Sequence, residues 1–122
     1  MSTLMQMNKA MRYIEENLIG EISFDEMSRI ACCSEYHFRP MFSFLAGMPL
    51  GEYIRRRKLT IAAVLLYVED NKVIDVALQL GYNSPDAFSK AFQAMHGISP
   101  SSAKKGNIIF KSIPSYNFQI NY

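Results

Sequence analysis

The sequence lacks several features that would directly assign the protein to a functional class. It carries 13 Lys and Arg against 11 Asp and Glu, a formal net charge of +2, so net charge alone does not indicate a nucleic-acid partner. No apolar run approaches the roughly 18 residues that a membrane span needs. Residues 1–13 also lack the basic-then-apolar pattern of a signal peptide. We therefore expect a cytoplasmic protein with no membrane partner.

Cysteine is scarce, and the two cysteines, Cys32 and Cys33, are adjacent. Two adjacent cysteines do not readily form a disulfide with each other, and they lack the separated ligand pairs of a zinc site. A redox-sensing role stays open, although adjacent cysteines in an apolar turn are more often small buried residues. His37 and His96 have no carboxylate or thiol at ligand spacing, so we expect them to pack at helix surfaces. The sequence predicts no metal site and no cofactor.

Catalytic motifs are also lacking. The sequence shows no Ser/His/Asp set, no Gly-rich phosphate loop and no paired-carboxylate motif. We therefore expect a protein that is not an enzyme. A length of 122 residues with 49% hydrophobic residues is enough for one domain, or two small lobes, with a buried core.

What the sequence does have is helical periodicity. Apolar residues recur at three- and four-residue steps from Met7 to Leu18, which indicates an amphipathic helix that stops near Gly20. Ser23 with Glu26 three positions later is a capping box and predicts a second helix.

A third helix is predicted from the N-cap Ser34 to Gly47, and a fourth begins near Pro49. The fourth is "LGEYIRRRKLTIAAVLLYVED", a helix of about twenty residues by its periodicity. Its apolar side chains lie near one stripe, comprising Leu50, Ile54, Ile61, Leu65 and Val68.

Three shorter helices follow. "VIDVALQLGYN" breaks at Gly81, "SPDAFSKAFQAMHG" has Ser84 as N-cap with Pro85 at the first helical position, and the last begins at "SPSSAKK". Seven helices therefore fit between residues 4 and 105. In the remaining tail, Phe118, Ile120 and Tyr122 alternate with polar residues, which predicts a strand. A lone strand has no pairing partner, so we expect that the chain was cut from a longer protein just inside a β-containing domain.

The chain contains an internal repeat. Residues 27–32 align with residues 76–81, and the second copy then gains one residue in its turn. Each copy is a short helix, a tight turn, a Ser cap and a second helix with two Phe residues four positions apart. This pattern is typical of a helix-turn-helix, which presents its second helix to a DNA major groove. A plain helical bundle is the simpler alternative. The matching residues are Ser34, Phe38, Phe42 and Gly47 in the first copy and Ser84, Phe88, Phe92 and Gly97 in the second.

The helix between the two copies has a length that would let each copy contact its own major groove. About twenty residues span about 30 Å at about 1.5 Å per residue, close to the roughly 34 Å between successive major-groove turns on one DNA face. One chain can then read two grooves without dimerising. The basic band Arg55–Lys58 would lie where phosphates pass. A solvated helix face is the alternative for each of its residues.

The span from about Met7 to Lys105 resembles the AraC/XylS family of bacterial transcription regulators. "PLGEYIRRRKLTIAAVLL" is similar to the family's linker helix, and "VIDVALQLGYNSPDAFSKAFQAMHGISPSSAKK" to its second unit, including Gly81-Tyr82 and Ser99-Pro100. The resemblance implies an all-α fold of about seven helices, with two helix-turn-helix subdomains joined by a long linker helix and a short C-terminal extended tail. The implied divisions are 4–48 and 70–106 for the subdomains, 49–69 for the linker helix and 107–122 for the tail.

The resemblance also implies a double-stranded DNA operator as partner, and it supplies candidate contacts. Arg39 and Lys90 are favoured as base readers because either can donate to guanine edges. Tyr36 suits a thymine methyl or a phosphate, whereas Asp86 near a helix start has the helix dipole as an equal explanation. The candidate base readers are Glu35, Tyr36, Arg39, Pro85, Asp86, Ala87 and Lys90; the candidate backbone contacts are Ser34, Arg55, Arg56, Arg57, Ser84, Ser101, Ser102 and Lys104.

Other partners follow from the resemblance alone. RNA polymerase is expected as a partner in the cell. The tail is weakly similar to the entry into a GyrI-like effector-binding domain, so a small-molecule inducer would act only through a C-terminal domain that this chain lacks. A protein-interaction module, such as a sigma-like or adaptor helical domain, remains the alternative function.

Two residues depart from the family pattern. Cys32 stands where many members have Gly, because the turn favours a left-handed backbone that costs a non-Gly residue about 1 kcal/mol. Pro40 stands where a basic residue often faces DNA, and inside a helix it removes a backbone donor. We predict a kink or a late-starting helix at Arg39-Pro40, with Arg39 taking the vacant basic role.

Overall fold

The computed structural model describes residues 2–103. Within these residues it has an all-α architecture, which confirms the expected fold class. The predicted strand of the tail and Lys104 lie outside the described residues. The seven helices of the described part are α1 (Thr3–Glu16), α2 (Phe24–Ala31), α3 (Glu35–Ala46), α4 (Leu50–Tyr67), α5 (Val73–Gln79), α6 (Pro85–His96) and α7 (Pro100–Ala103).

The described chain forms two compact units, whose boundary lies between Ile54 and Arg55 inside α4. The first unit therefore holds α1 to α3 and the first turn of α4, and the second holds the rest of α4 with α5 to α7. Each unit contains one copy of the sequence repeat. The apolar stripe expected on α4 is buried at Leu50, Ile54 and Leu65, but Val68 is 70% exposed. Because α4 ends at Tyr67, Val68 lies beyond the helix and its periodicity does not apply.

In the first unit α2 packs against both α1 and α3. The face of α1 that the periodicity predicted is buried, from Met7 to Ile14. Phe38 and Phe42 of α3 are fully buried, and the Phe42 ring lies 5.3 Å from the Tyr53 ring between centroids. The two Phe residues thus fix which face of α3 points inward.

In the second unit α6 packs against α5 and α7. Phe88 and Phe92 are fully buried in a core that Leu59 and Leu66 of α4 share. His96 is only 6% exposed, and its Nε2 lies 2.9 Å from the carbonyl oxygen of Leu59. The expectation that His96 packs at a helix surface is therefore wrong, because a backbone carbonyl far away in sequence gives its ring a buried polar partner.

The N-terminus of α2 forms only one of the two hydrogen bonds of the predicted capping box. The Ser23 hydroxyl accepts a bond from the Glu26 backbone N–H at 3.2 Å, as predicted. The Ser23 backbone N–H, however, donates to the Tyr13 hydroxyl at 3.0 Å, and the Glu26 carboxylate pairs with Arg29. A tertiary contact from α1 therefore takes the place of the reciprocal bond.

Candidate nucleic-acid interface

The turn of the first copy has a left-handed backbone. Cys32 caps the end of α2 with φ 58° and ψ 31°. Its N–H donates to the Arg29 carbonyl at 3.3 Å, and the Cys33 N–H donates to the Ser28 carbonyl at 3.2 Å. This is the backbone that the family pattern implied for the position, and here a non-Gly residue adopts it.

The turn of the second copy repeats the same pair of bonds. Gly81 has φ 82°, and its N–H donates to the Leu78 carbonyl at 3.1 Å. The Tyr82 N–H donates to the Ala77 carbonyl at 3.0 Å. Both bonds fall on the positions that the sequence alignment matches, so the repeat extends to individual backbone contacts.

Serine side chains start the second helix of each copy. The Ser34 hydroxyl accepts from the His37 N–H at 3.2 Å, and the Ser84 hydroxyl accepts from the Ala87 N–H at 3.1 Å. Each bond satisfies a backbone donor that the first turn leaves open. The structure thus confirms both caps, and it fixes where α3 and α6 begin.

The expected late start of α3 is wrong. The helix begins at Glu35, directly after its Ser34 cap, and it continues through Pro40 to Ala46. Pro40 removes one donor, but the cap at one end and the buried Phe pair hold the helix on both sides of it. The predicted kink remains a prediction.

Arg39 is held by contacts within its own unit. Its Nε donates to the Glu35 carboxylate at 2.8 Å, one helical turn earlier. Its guanidinium carbon also lies 4.9 Å from the centre of the Phe24 ring of α2, within the range of a cation–π contact. The ion pair between Arg39 and Glu35 offsets the negative charge of Glu35. The role of Arg39 as a base reader stays a prediction.

The outward faces of α3 and α6 hold most of the candidate base readers. On α3, Tyr36 is 82% exposed, and its ring meets the His37 ring edge-on at 5.7 Å between centroids. Glu35 and Arg39 beside it are partly buried. On α6 the candidates are all exposed, namely Pro85, Asp86, Ala87 and Lys90.

The basic band lies on α4, at the start of the second unit. Arg55 and Arg56 are exposed, whereas Arg57 and Lys58 are partly buried. Burial lowers the pKa of the Lys58 ammonium. Burial also raises the pKa of Tyr82, and the positive charge of Arg55 partly opposes that rise.

The last short helix, α7, has its own serine cap. The Ser99 hydroxyl accepts from the Ser102 N–H at 3.2 Å, and the candidates Ser101 and Ser102 are exposed. Within residues 2–103 no group of three or more His, Cys, Asp or Glu is arranged to hold a metal ion. No helix of the same residues is both long and apolar enough to cross a membrane.

Comparison with known proteins decides the family. A family model described as a helix-turn-helix domain matches residues 27–106. The chain is also 33% identical over 89 residues to the regulatory protein SoxS of Salmonella typhimurium, and the match covers 73% of the chain and 83% of SoxS. The chain belongs to the AraC-type helix-turn-helix family.

Two further similarities agree with this AraC-type domain. The chain is 42% identical over 89 residues to the HTH-type transcriptional activator AarP of Providencia stuartii. That match covers 73% of the chain and 66% of AarP, so the chain spans a little less than two thirds of this relative. The DNA-binding domain of AdpA, solved in complex with a target DNA, has the same fold with a TM-score of 0.73 and 23% identity. The likeness covers 82% of the chain and 90% of that domain.

One exposed residue of this AraC-type domain was missed by the sequence analysis. Phe44 of α3 is 87% exposed. A usable signal was present, because Phe44 lies two positions after the buried Phe42 and therefore on the other side of the helix. Beside it is an open groove of about 470 Å³, lined by Thr3, Leu4, Met7, Pro40, Met41, Phe44 and Leu45.

Proposed function

We propose that this chain binds double-stranded DNA sequence-specifically, as the DNA-binding domain of an AraC-family transcription regulator. In this proposal α3 belongs to a first reading subdomain, residues 4–48, and α6 to a second, residues 70–106. The linker helix 49–69 joins the two subdomains, and each of the two helices enters a major groove. The doubled turn, cap and helix carries the proposal. Both copies share the turn bonds and the Ser cap, and in both the helix face opposite the buried Phe pair is exposed.

The proposed base contacts differ between the two helices. Lys90, exposed on α6, can donate to the O6 and N7 of a guanine. Pro85, Asp86 and Ala87 precede it in the first turn, where a helix-turn-helix contacts bases. On α3 the corresponding readers are Glu35, Tyr36 and Arg39. Arg39 must then share its guanidinium between Glu35 and a base.

The proposed backbone contacts supply affinity without sequence information. Arg55, Arg56 and Arg57 bring three positive charges close together on α4, and each phosphate they neutralise makes binding more salt-dependent. The remaining proposed contacts lie at helix starts, where exposed N–H groups favour an anion. They are Ser34, Ser84, Ser101 and Ser102. Lys104 is a further proposed backbone contact by its charge alone, and it lies outside the described residues.

Alanine substitutions separate the two kinds of contact. Arg55→Ala should weaken binding to every duplex and reduce the salt slope by about one unit. Lys90→Ala should instead change which base is preferred at one position. Arg12→Ala is the matched control, because it removes the same charge from an exposed position on α1. If Arg12→Ala and Arg55→Ala reduce affinity equally, the proposed phosphate contacts are wrong.

The proposal extends to the cellular setting. We infer a cytoplasmic regulator that acts with RNA polymerase, that has no enzymatic activity, and that senses a small-molecule inducer only if a C-terminal domain is attached. One relative is named a transcriptional activator and another a regulatory protein, which supports the regulatory role. A protein adaptor is the competing function, and it predicts neither a salt-dependent affinity for duplex DNA nor a change of base preference in Lys90→Ala.

A further inference from the structure

The outward face of α3 carries a line of apolar residues that the matching face of α6 lacks. Tyr36, Pro40 and Phe44 follow one another at four-residue intervals, so they form a stripe along one side of the helix. All three are exposed, Tyr36 at 82% and Phe44 at 87%. We call these three residues the α3 stripe.

The repeat shows which residues take these places in the second copy. The positions that match the α3 stripe are Asp86, Lys90 and Ala94, and all three are exposed on α6. The two copies therefore share a scaffold but present different chemistry on it. A polar face with a cation suits guanine, whereas the α3 stripe has no cation of its own and cannot read guanine in that way.

We propose that the α3 stripe reads thymines, through apolar contact with their C5-methyl groups in the major groove. The inference rests on the proposed DNA binding and adds the base class that α3 prefers. The thymine methyl is the apolar group of the major groove, and apolar side chains recognise it there. The exposed aromatic rings of Tyr36 and Phe44 and the rigid ring of Pro40 offer that kind of surface.

The dimensions of the stripe fit a short run of base pairs. From Tyr36 to Phe44 the helix rises about 12 Å, at about 1.5 Å per residue. Stacked bases repeat about every 3.4 Å along one strand, so the stripe spans three to four base pairs. The Tyr36 ring at one end of the stripe also contacts the His37 ring edge-on.

The charges beside the stripe do not oppose this use. Glu35, the carboxylate of the first turn of α3, is paired with Arg39 at 2.8 Å. An isolated carboxylate there would repel phosphates, and the ion pair offsets that repulsion. The hydrogen-bond donors that Pro40 lacks are not needed here, because contact with a methyl group requires no backbone or side-chain donor.

Deoxyuridine substitution tests the proposal directly, since uracil differs from thymine only in lacking the C5-methyl group. The full 122-residue chain would first be used to select duplexes from a random library. Each thymine of an enriched duplex is then replaced singly by deoxyuridine, and the dissociation constant is measured. We expect a loss of about fourfold for each methyl contacted, in two or three neighbouring positions.

Protein variants assign the effect to the stripe. Phe44→Ala should weaken binding and abolish the deoxyuridine effect at one position, while its far-UV circular dichroism and melting temperature stay unchanged because Phe44 is exposed. Leu78→Ala is the matched control, since Leu78 is 66% exposed on α5, and it should keep both affinity and deoxyuridine effect. Lys90→Ala should lose affinity but keep the deoxyuridine effect.

The results that would overturn the proposal are distinct from a failure of DNA binding. If every deoxyuridine duplex binds within twofold of its thymine parent, the α3 stripe does not read methyl groups. The same conclusion follows if Phe44→Ala and Tyr36→Ala keep the full deoxyuridine effect. If Phe44→Ala leaves DNA affinity unchanged, Phe44 does not contact the DNA and the proposed stripe is wrong. Failure of the proposed function itself would appear earlier, as no enrichment of any duplex.

Discussion

Replacing Cys32 by glycine should stabilise the first unit. Cys32 occupies a left-handed turn at φ 58°, which costs an L-residue about 1–2 kcal/mol. Glycine avoids that cost but loses about 0.4–1 kcal/mol through the greater freedom of the unfolded chain. The Cys32 side chain is exposed, so its removal sacrifices little buried surface. The difference between the two terms lies between about 0 and 1.6 kcal/mol, and we expect a net gain near its midpoint, about 0.8 kcal/mol in the free energy of unfolding.

Urea unfolding followed by circular dichroism measures this gain, and a thermal melt should show a rise of about 3–6 °C. Cys32→Ala is the control, because it removes the thiol but keeps the left-handed strain, and it should change little. The reciprocal change, Gly81→Ala at φ 82°, should destabilise the second unit by about 1 kcal/mol. If Cys32→Gly is no more stable than Cys32→Ala, the turn is not strained and the reasoning fails.

Three other predictions follow from individual contacts. Ser34→Ala or Ser84→Ala should each cost about 1 kcal/mol of unfolding free energy in urea titrations, because each removes the bond that starts a helix; unchanged midpoints would contradict the caps. Phe88→Ala should cost about 3–5 kcal/mol, since it empties a fully buried site, and a loss below about 1 kcal/mol would show that the ring is not in the core. Burial and the neighbouring Cys32 raise the pKa of Cys33, so at pH 8 iodoacetamide should alkylate Cys33 more slowly than Cys32, as measured by peptide mass spectrometry. Equal rates would contradict that environment.

Local patterns carry enough information to predict most of this fold. The helix starts at Ser23, Ser34 and Ser84 follow from short-range capping chemistry, and the buried faces of the helices follow from their periodicity. The duplicated turn could be predicted because residues 27–32 align with residues 76–81, and the backbone bonds of the two turns agree with that alignment. Sequence reasoning therefore identified the two helices, α3 and α6, that each leave one face exposed.

The features that could not be predicted depend on contacts between distant residues. His96 is buried because the Leu59 carbonyl lies within hydrogen-bond distance of its ring. The Ser23 backbone N–H bonds to the Tyr13 hydroxyl instead of to the Glu26 side chain that a capping box would use. Neither partner is visible in a local window. The late start of α3 that Pro40 suggested is wrong for a different reason. The penalty for Pro40 is outweighed by the Ser34 cap, which was itself predicted, and by the buried Phe pair. The Glu35–Arg39 pair was predictable from its four-residue spacing.

Selection of duplexes from a random library tests the central claim most directly. The 122-residue chain would be used at low and at moderate salt, and the affinity of an enriched duplex would be compared with that of a scrambled duplex. The account predicts enrichment of a defined sequence, with an affinity that falls steeply as salt rises. No enrichment at either salt concentration would contradict it.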